Sequence, residues 1–262
     1  MEEVGDLVDD SIIQSVDRAL HILDMVSRKR EGCGVTELSI ALPLNKTSVF
    51  RMLSTLKRHG LVEQDPETER YKIGYKVLEL SGRLLDSIDL RAEARPYLRE
   101  LENLTNEVIH LVIYNRGEVV YIEKLEGNET LRMHSKVGNR APMHCTGVGK
   151  VILAHLPREE AQDVIDQCEL TRHTGNTITD KDALCDHLRR VRQQGYALDL
   201  EENEAGINCI AAPIFDHAGR VVSALSVSGP AIRMTEERIE TLKGKVMETS
   251  RKISRRLGYT AP

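Results

Sequence analysis

Between Asn45 and His59 the apolar residues Val49, Met52, Leu53 and Leu56 recur at i, i+3, i+4 and i+7. That spacing puts them on one buried face of a helix. Lys46, Thr47, Phe50, Arg51, Ser54 and Arg58 fall on the other side. A shorter helical stretch, Thr36–Leu42, precedes and breaks at Pro43. Two short runs follow, Leu61–Gln64 and Tyr71–Ile73, which read as strands joined by the polar loop DPETER.

Elsewhere the same pattern predicts a helix over Ile12–Arg28, with Val16, Ala19, Leu20, Leu23 and Val26 inward and Ser15 as its N-cap. Tyr75–Ser87 is a further helix, with Val77, Leu80, Leu84 and Ile88 on one stripe and Leu78 and Leu85 beside it. A stripe that wide must be covered, which suggests a linker helix packed on a partner subunit. Leu90–Glu107 is helical, with Pro96 expected in the first turn of its main segment.

From Val108 the period shortens to two. VIHLVIYN and EVVYIEKLE are β-branched runs parted by Arg116-Gly117, a hairpin signal, and LRMHSKVG continues as a third strand. APMHCTGVGKVILAHL passes from loop to helix, and Arg158–Cys168 and Asp180–Gln194 are helices, the latter with Leu184, Leu188 and Val191 inward. Tyr196–Leu200, NCIAAPIFD and VVSALSVSG are strands, and Glu236–Leu257 closes the chain as a helix. Grouped strands with helices at both ends indicate an α+β domain on one antiparallel sheet. The expected division is a disordered acidic tail over 1–11, a first domain of short helices and two strands over 12–74, a linker helix over 75–89 and a second domain over 90–262.

Composition bounds the class. The 262 residues are 40% hydrophobic with two Phe and no Trp, so the core rests on aliphatic side chains. No apolar run is long enough to span a membrane, and the acidic N-terminus lacks a signal-peptide pattern. Five cysteines without a CxxC pair suggest reduced thiols in a cytoplasmic protein. Net charge is −5, yet residues 14–76 hold eleven basic and eight acidic side chains. Positive charge is thus concentrated where the two-faced helix lies, and phosphate binding follows local placement.

That helix has the features of a recognition helix. Asn45 suits an N-cap, and a capped positive end beside Lys46, Thr47 and Ser48 suits a phosphate or base edge. Arg51 is one turn on, where its planar fork can read guanine. An ordinary solvated face has similar residues; the order helix, turn, capped helix, two strands favours a winged helix-turn-helix. Gln14, Ser15 and Arg18, at the first helix start, are further candidates for phosphate contact, beside a plain surface cap. The full DNA-contact set adds Thr36, Phe50, Arg58 and, on the wing, Arg70.

QSVDRALHILD, the GVTELSIALPLNKTSVFRMLSTLKRHGLVEQDPETERYKIG block, YKVLEL, RAPMHCTGVGKVILAHL, QGYALDLEENEAGINCIAAPIFD and VVSALSVSGP occur in this order from about Ile13 to Tyr259. Together they resemble the IclR family of bacterial transcriptional regulators, most of all its repressors of sugar-acid catabolism of the ketodeoxygluconate or xylonate type. The resemblance implies a winged helix-turn-helix joined to a GAF/PAS-like effector domain. It also implies dimers or tetramers, a palindromic double-stranded DNA operator, and a small sugar acid or related carboxylate as effector. No cofactor, membrane or catalytic role is implied; metals are found in some relatives, which leaves a metal site open. The family's effector pocket corresponds here to Gly147, Val148, Asp199, Ile207, Cys209, Ser226 and Ser228. These residue types suit an acid ligand, since hydroxyls and backbone N–H groups before a helix favour an anion, although Asp199 opposes one.

Other chemistry finds less support. His110, His134, His144 and His155 show no helical ligand spacing, and His144-Cys145 on one strand would face opposite ways. Neither Cys145 nor Cys209 has a visible base, Glu201, Glu202 and Glu204 read as a solvated loop, and GVGK lacks P-loop spacing. The rivals to a repressor are an activator of the same family, an enzyme acting on the bound acid, and a sensor working through protein contacts.

Overall fold

The computed structural model describes residues 12–127 and 135–260, so the tail expected over 1–11 lies outside it. The chain divides into two compact units, separated between Ile88 and Asp89.

The first unit is built on α1 (Gln14–Ser27), α2 (Val35–Ala41), α3 (Lys46–Arg58), β1 (Val62–Gln64), β2 (Tyr71–Ile73) and α4 (Lys76–Ser87). Val49, Leu53 and Leu56 of α3 are buried as the periodicity requires, and Met52 is half-buried beside them. They close on Ile22, Val26, Leu38, Val62 and Tyr71. The strands pair antiparallel with Val62 opposite Ile73, and Cys33 adds a bridge to Tyr71.

Two expectations for α1 fail. Ile13 holds the N-cap position with no side-chain cap bond, which places Ser15 inside the first turn. Ile22 and Val26 form the inward face, while Val16 and Leu20 are exposed. The helix is rotated so that Val16, Ala19 and Leu20 face α3 across an open groove instead of lying under it. On α4, Leu78, Leu80, Leu84 and Leu85 are all exposed.

The second unit has one six-stranded antiparallel sheet. In chain order its elements are α5 (Leu90–Thr105), β3 (Val108–Asn115), β4 (Glu118–Leu125), β5 (Arg140–Ala141), α6 (Gly147–His155), α7 (Arg158–Gln167), α8 (Lys181–Gln194), β6 (Ala197–Leu200), β7 (Ile207–Phe215), β8 (Val221–Pro230) and α9 (Glu236–Arg256). The strand order is β5-β4-β3-β8-β7-β6. Arg116 and Gly117 both take positive φ in the β3–β4 turn, the conformation a two-residue hairpin needs. The third expected strand, Leu131–Gly138, falls partly outside the described residues, and its described end is a turn.

α5 and α9 cover one sheet face, and α6, backed by α8, covers the other. α5 is continuous from Leu90, so Pro96 lies in its interior and not in a first turn. Asp89 caps the helix by accepting from Arg91 and Ala92. The N–H that Pro96 lacks would have met the Ala92 carbonyl on an exposed face, where water can replace it. α6 is capped by Thr146, whose hydroxyl accepts from Gly149 N at 3.0 Å. A Cβ on Gly149 would stand 2.6 Å from both Cα and O of Met143.

Gly149→Ala should therefore destabilise the protein by about 1–3 kcal/mol, the range for forcing atoms into a filled core. Urea unfolding of the two forms measures it, and equal midpoints would contradict the close approach.

Candidate functional site

The α3 face is built by its cap and its charge. Asn45 Oδ1 accepts from Ser48 N at 2.7 Å, which fixes the helix start. First-turn N–H groups have no helical carbonyl to bond, so those of Lys46 and Thr47 remain directed along the helix end. Lys46, Thr47, Phe50, Arg51, Ser54 and Arg58 are exposed, and Ser48 is half-buried. Among the described residues no hydrogen bond or ion pair engages the Lys46, Arg51 or Arg58 head groups. The first turn contains no acid. Such a surface presents donors and positive charge without competing carboxylates.

Ser15 joins that surface across the groove of about 520 Å³ where it faces Ser48 and Arg51. Gln14, Arg18 and Thr36 are exposed on α1 and α2. Arg70 is different. Its Nη2 donates to Gly32 O at 2.8 Å and to Glu37 at 2.9 Å, and its Nε lies 3.2 Å from the carbonyls of Glu31 and Gly32. These bonds commit the guanidinium to tying the wing to the turn before α2, so a phosphate would have to compete for it. Asp65 folds the wing loop by accepting from the Glu67 and Thr68 N–H groups, which hold its carboxyl at about 2.

In the second unit the strand register gathers the effector candidates. Asp199 pairs with Cys209 and Cys209 with Ser228, while Ser226 pairs with Ala211 and His110. Directly paired residues share a face and so do residues two apart. Asp199, Ile207, Cys209, Ser226 and Ser228 therefore lie on the α6 side of the sheet. Gly147 begins α6 there: a Cβ on it would stand 3.3 Å from Ala211 Cβ and 3.7 Å from Asp199 N. Val148 follows, buried.

The structure adds residues that spacing did not reveal. His110 Nδ1 lies 3.3 Å from Ser226 Oγ and 3.4 Å from Ser228 Oγ, and its Nε2 lies 2.8 Å from Ser135 Oγ. Tyr121 stacks tilted against it at 4.9 Å. Glu202 is no solvated loop residue; it is buried and bonded to Lys150, which has no exposure. A lysine inside the apolar run GVGKVILA is the one sequence sign that a buried acid had to exist.

Burial sets the protonation here. It lowers the His110 imidazole to about 3, with the Lys124 ammonium acting in the same direction. It raises Asp199 to about 6, despite N–H bonds from Glu202 and Asn203 and the nearby Lys150. The Cys209 thiol is pushed well above its ordinary value, first by burial and then by Asp199. A protonated thiol is a packing and hydrogen-bonding group, not a nucleophile.

A winged helix-turn-helix joined in one chain to an antiparallel-sheet unit with a polar sheet face defines a DNA-binding transcription regulator. A model of the IclR helix-turn-helix domain matches residues 15–66, and one of the bacterial transcriptional regulator IclR C-terminal domain matches residues 82–255. The chain is 40% identical over 247 residues to the HTH-type transcriptional regulator KdgR of Escherichia coli (strain K12), covering 94% of each. It is 38% identical over 250 residues to the HTH-type transcriptional regulator XynR of the same strain, covering 95% of this chain and 99% of that one. The crystal structure of the Agobacterium tumefaciens repressor BlcR matches with a TM-score of 0.81 at 26% identity, over 94% of this chain and 98% of that one. The protein belongs to the IclR family of bacterial transcriptional regulators.

The His110 environment has a measurable consequence. Its folded value, about 3, lies below the ordinary 6.5. The unfolded chain therefore takes up the proton first, and stability present above pH 6.5 is lost as pH falls toward 3. Wild type should lose stability relative to His110→Gln over that range, by up to about 1.4 kcal/mol per pH unit. Parallel pH profiles in chemical unfolding would contradict it.

Proposed function

We propose that this protein is a repressor whose α3 reads a palindromic operator in the major groove and whose second unit binds a small sugar acid that relieves repression. The observation that carries the reading is the capped α3 face, where Lys46, Arg51 and Arg58 have no partner among the described residues. Thr47, Ser48 and Arg51 reach base edges, and Lys46 and Arg58 hold phosphates, with Gln14, Ser15, Arg18 and Thr36 at the margin. Phe50 adds an exposed apolar contact. Arg70 serves chiefly to fix the wing.

The effector acid lies against Gly147, Val148, Cys209, Ser226 and Ser228, beside Asp199 and Ile207. Hydroxyls that rotate and N–H groups at a helix start match a carboxylate with several hydroxyls. The exposed leucines of α4 support a homodimer, which a palindrome requires, and pairs of dimers make tetramers. The second unit senses and assembles, the first reads DNA, and the protein acts in the cytoplasm; no described helix is long and apolar enough to cross a membrane. Ligand acts by binding unequally to DNA-competent and DNA-incompetent arrangements.

Arg51→Ala should weaken operator binding by about 1–3 kcal/mol and relax selectivity at one base pair. Equal loss on operator and random DNA would rule out base reading. Titrating 2-keto-3-deoxygluconate or xylonate into the protein–operator complex should release the DNA. Release by neither acid, from a complex that is sequence-specific and weakens steeply with salt, would exclude these effectors.

A further inference from the structure

We propose that His144, Cys145 and His173 form a metal site suited to zinc, with Cys168 completing the tetrahedron. The three residues each present a ligand atom within 4.8 Å of the others. Cys168 Sγ lies 3.8 Å from His144 Nδ1. Bonds of about 2.0–2.3 Å in a tetrahedron place ligand atoms roughly 3.3–3.8 Å apart, so the Cys168–His144 distance already matches. Cys168 stands outside the group of three whose ligand atoms lie within 4.8 Å of one another, so binding must draw its side chain inward.

The surroundings favour metal over a plain hydrogen-bonded cluster. The His144 ring donates from Nε2 to the Thr171 carbonyl at 3.1 Å. A carbonyl can only accept, so Nε2 bears the proton and Nδ1, facing Cys168, has the lone pair. A ligand histidine held through its other nitrogen by a backbone carbonyl is the usual supporting arrangement of a metal centre. Thiolate and imidazole together select zinc over magnesium or calcium.

Sequence spacing hides this site because its ligands come from three places. His144 and Cys145 sit in the turn before α6, not on a strand, so adjacent side chains can converge. Cys168 caps the C-terminus of α7, and His173 follows in the loop. Binding replaces each S–H bond by an S–Zn bond and releases its proton to solvent; no redox change occurs. The ion would fasten the start of α6 to the 168–173 segment. It does not depend on the repressor reading.

The test uses full-length, untagged, reduced protein stripped with chelator. Zinc alone, titrated against a chromophoric chelator, should bind at one ion per chain. Cobalt should give a tetrahedral visible spectrum with a thiolate charge-transfer band. His173 is exposed, so His173→Ala should leave the circular dichroism unchanged while weakening zinc about tenfold or more. Cys145→Ser and Cys168→Ser should each reduce the thiolate band. Zinc uptake equal in wild type and His173→Ala, or a cobalt complex without thiolate charge transfer, would overturn the assignment.

Discussion

Lys150 has no exposure, and an ammonium in that position cannot be left without an anion. Glu202 supplies it, and the loop that carries Glu202 is held in turn at several points. Asp199 accepts from the Glu202 and Asn203 N–H groups, and the Thr174 and Thr177 hydroxyls donate to the Glu201 and Glu202 carbonyls. One buried charge on α6 thereby fixes the β6–β7 loop and the segment before α8. The sheet face proposed to bind effector and the histidine–cysteine cluster both take their shape from elements joined at this pair. Removing either partner would cost about 3–5 kcal/mol and loosen all of them together.

The same burial changes how much charge the sheet face presents. With His110 lowered to about 3 and Asp199 raised to about 6, the imidazole on that face is neutral at pH 7 while the carboxyl remains mostly ionised. An acid bound there, as proposed above, would meet hydroxyls, a neutral ring and the start of α6. The opposition expected from Asp199 is softened because its Oδ1 already serves the backbone.

Much of this was legible in the chain. The α3 stripe and the Asn45 cap follow from local chemistry, as does the Arg116-Gly117 turn, because each is decided within a few residues. α1 misled because Val16 and Leu20 satisfy the helical period yet face a groove; periodicity gives a face but not its rotation. Pro96 misled because a proline on a solvated helix face loses only a bond that water replaces. Arg70, Glu202 and His110 were hidden for another reason. Their partners lie 33, 52 and 116 positions away in the chain, and only the fold brings them together.

Arg70 also determines what kind of object the first unit is. Its bonds to Gly32 and Glu37, with the Cys33–Tyr71 bridge, rivet the wing to the helix pair. Helices and wing then form a single stiff reading head whose grip on one half-site is set when the chain folds. In the dimer proposed above, a signal has no internal joint of the head to bend. It can act only on the gap between two heads, and an operator would register that as a tolerance for spacer length and not as a change in the bases it prefers.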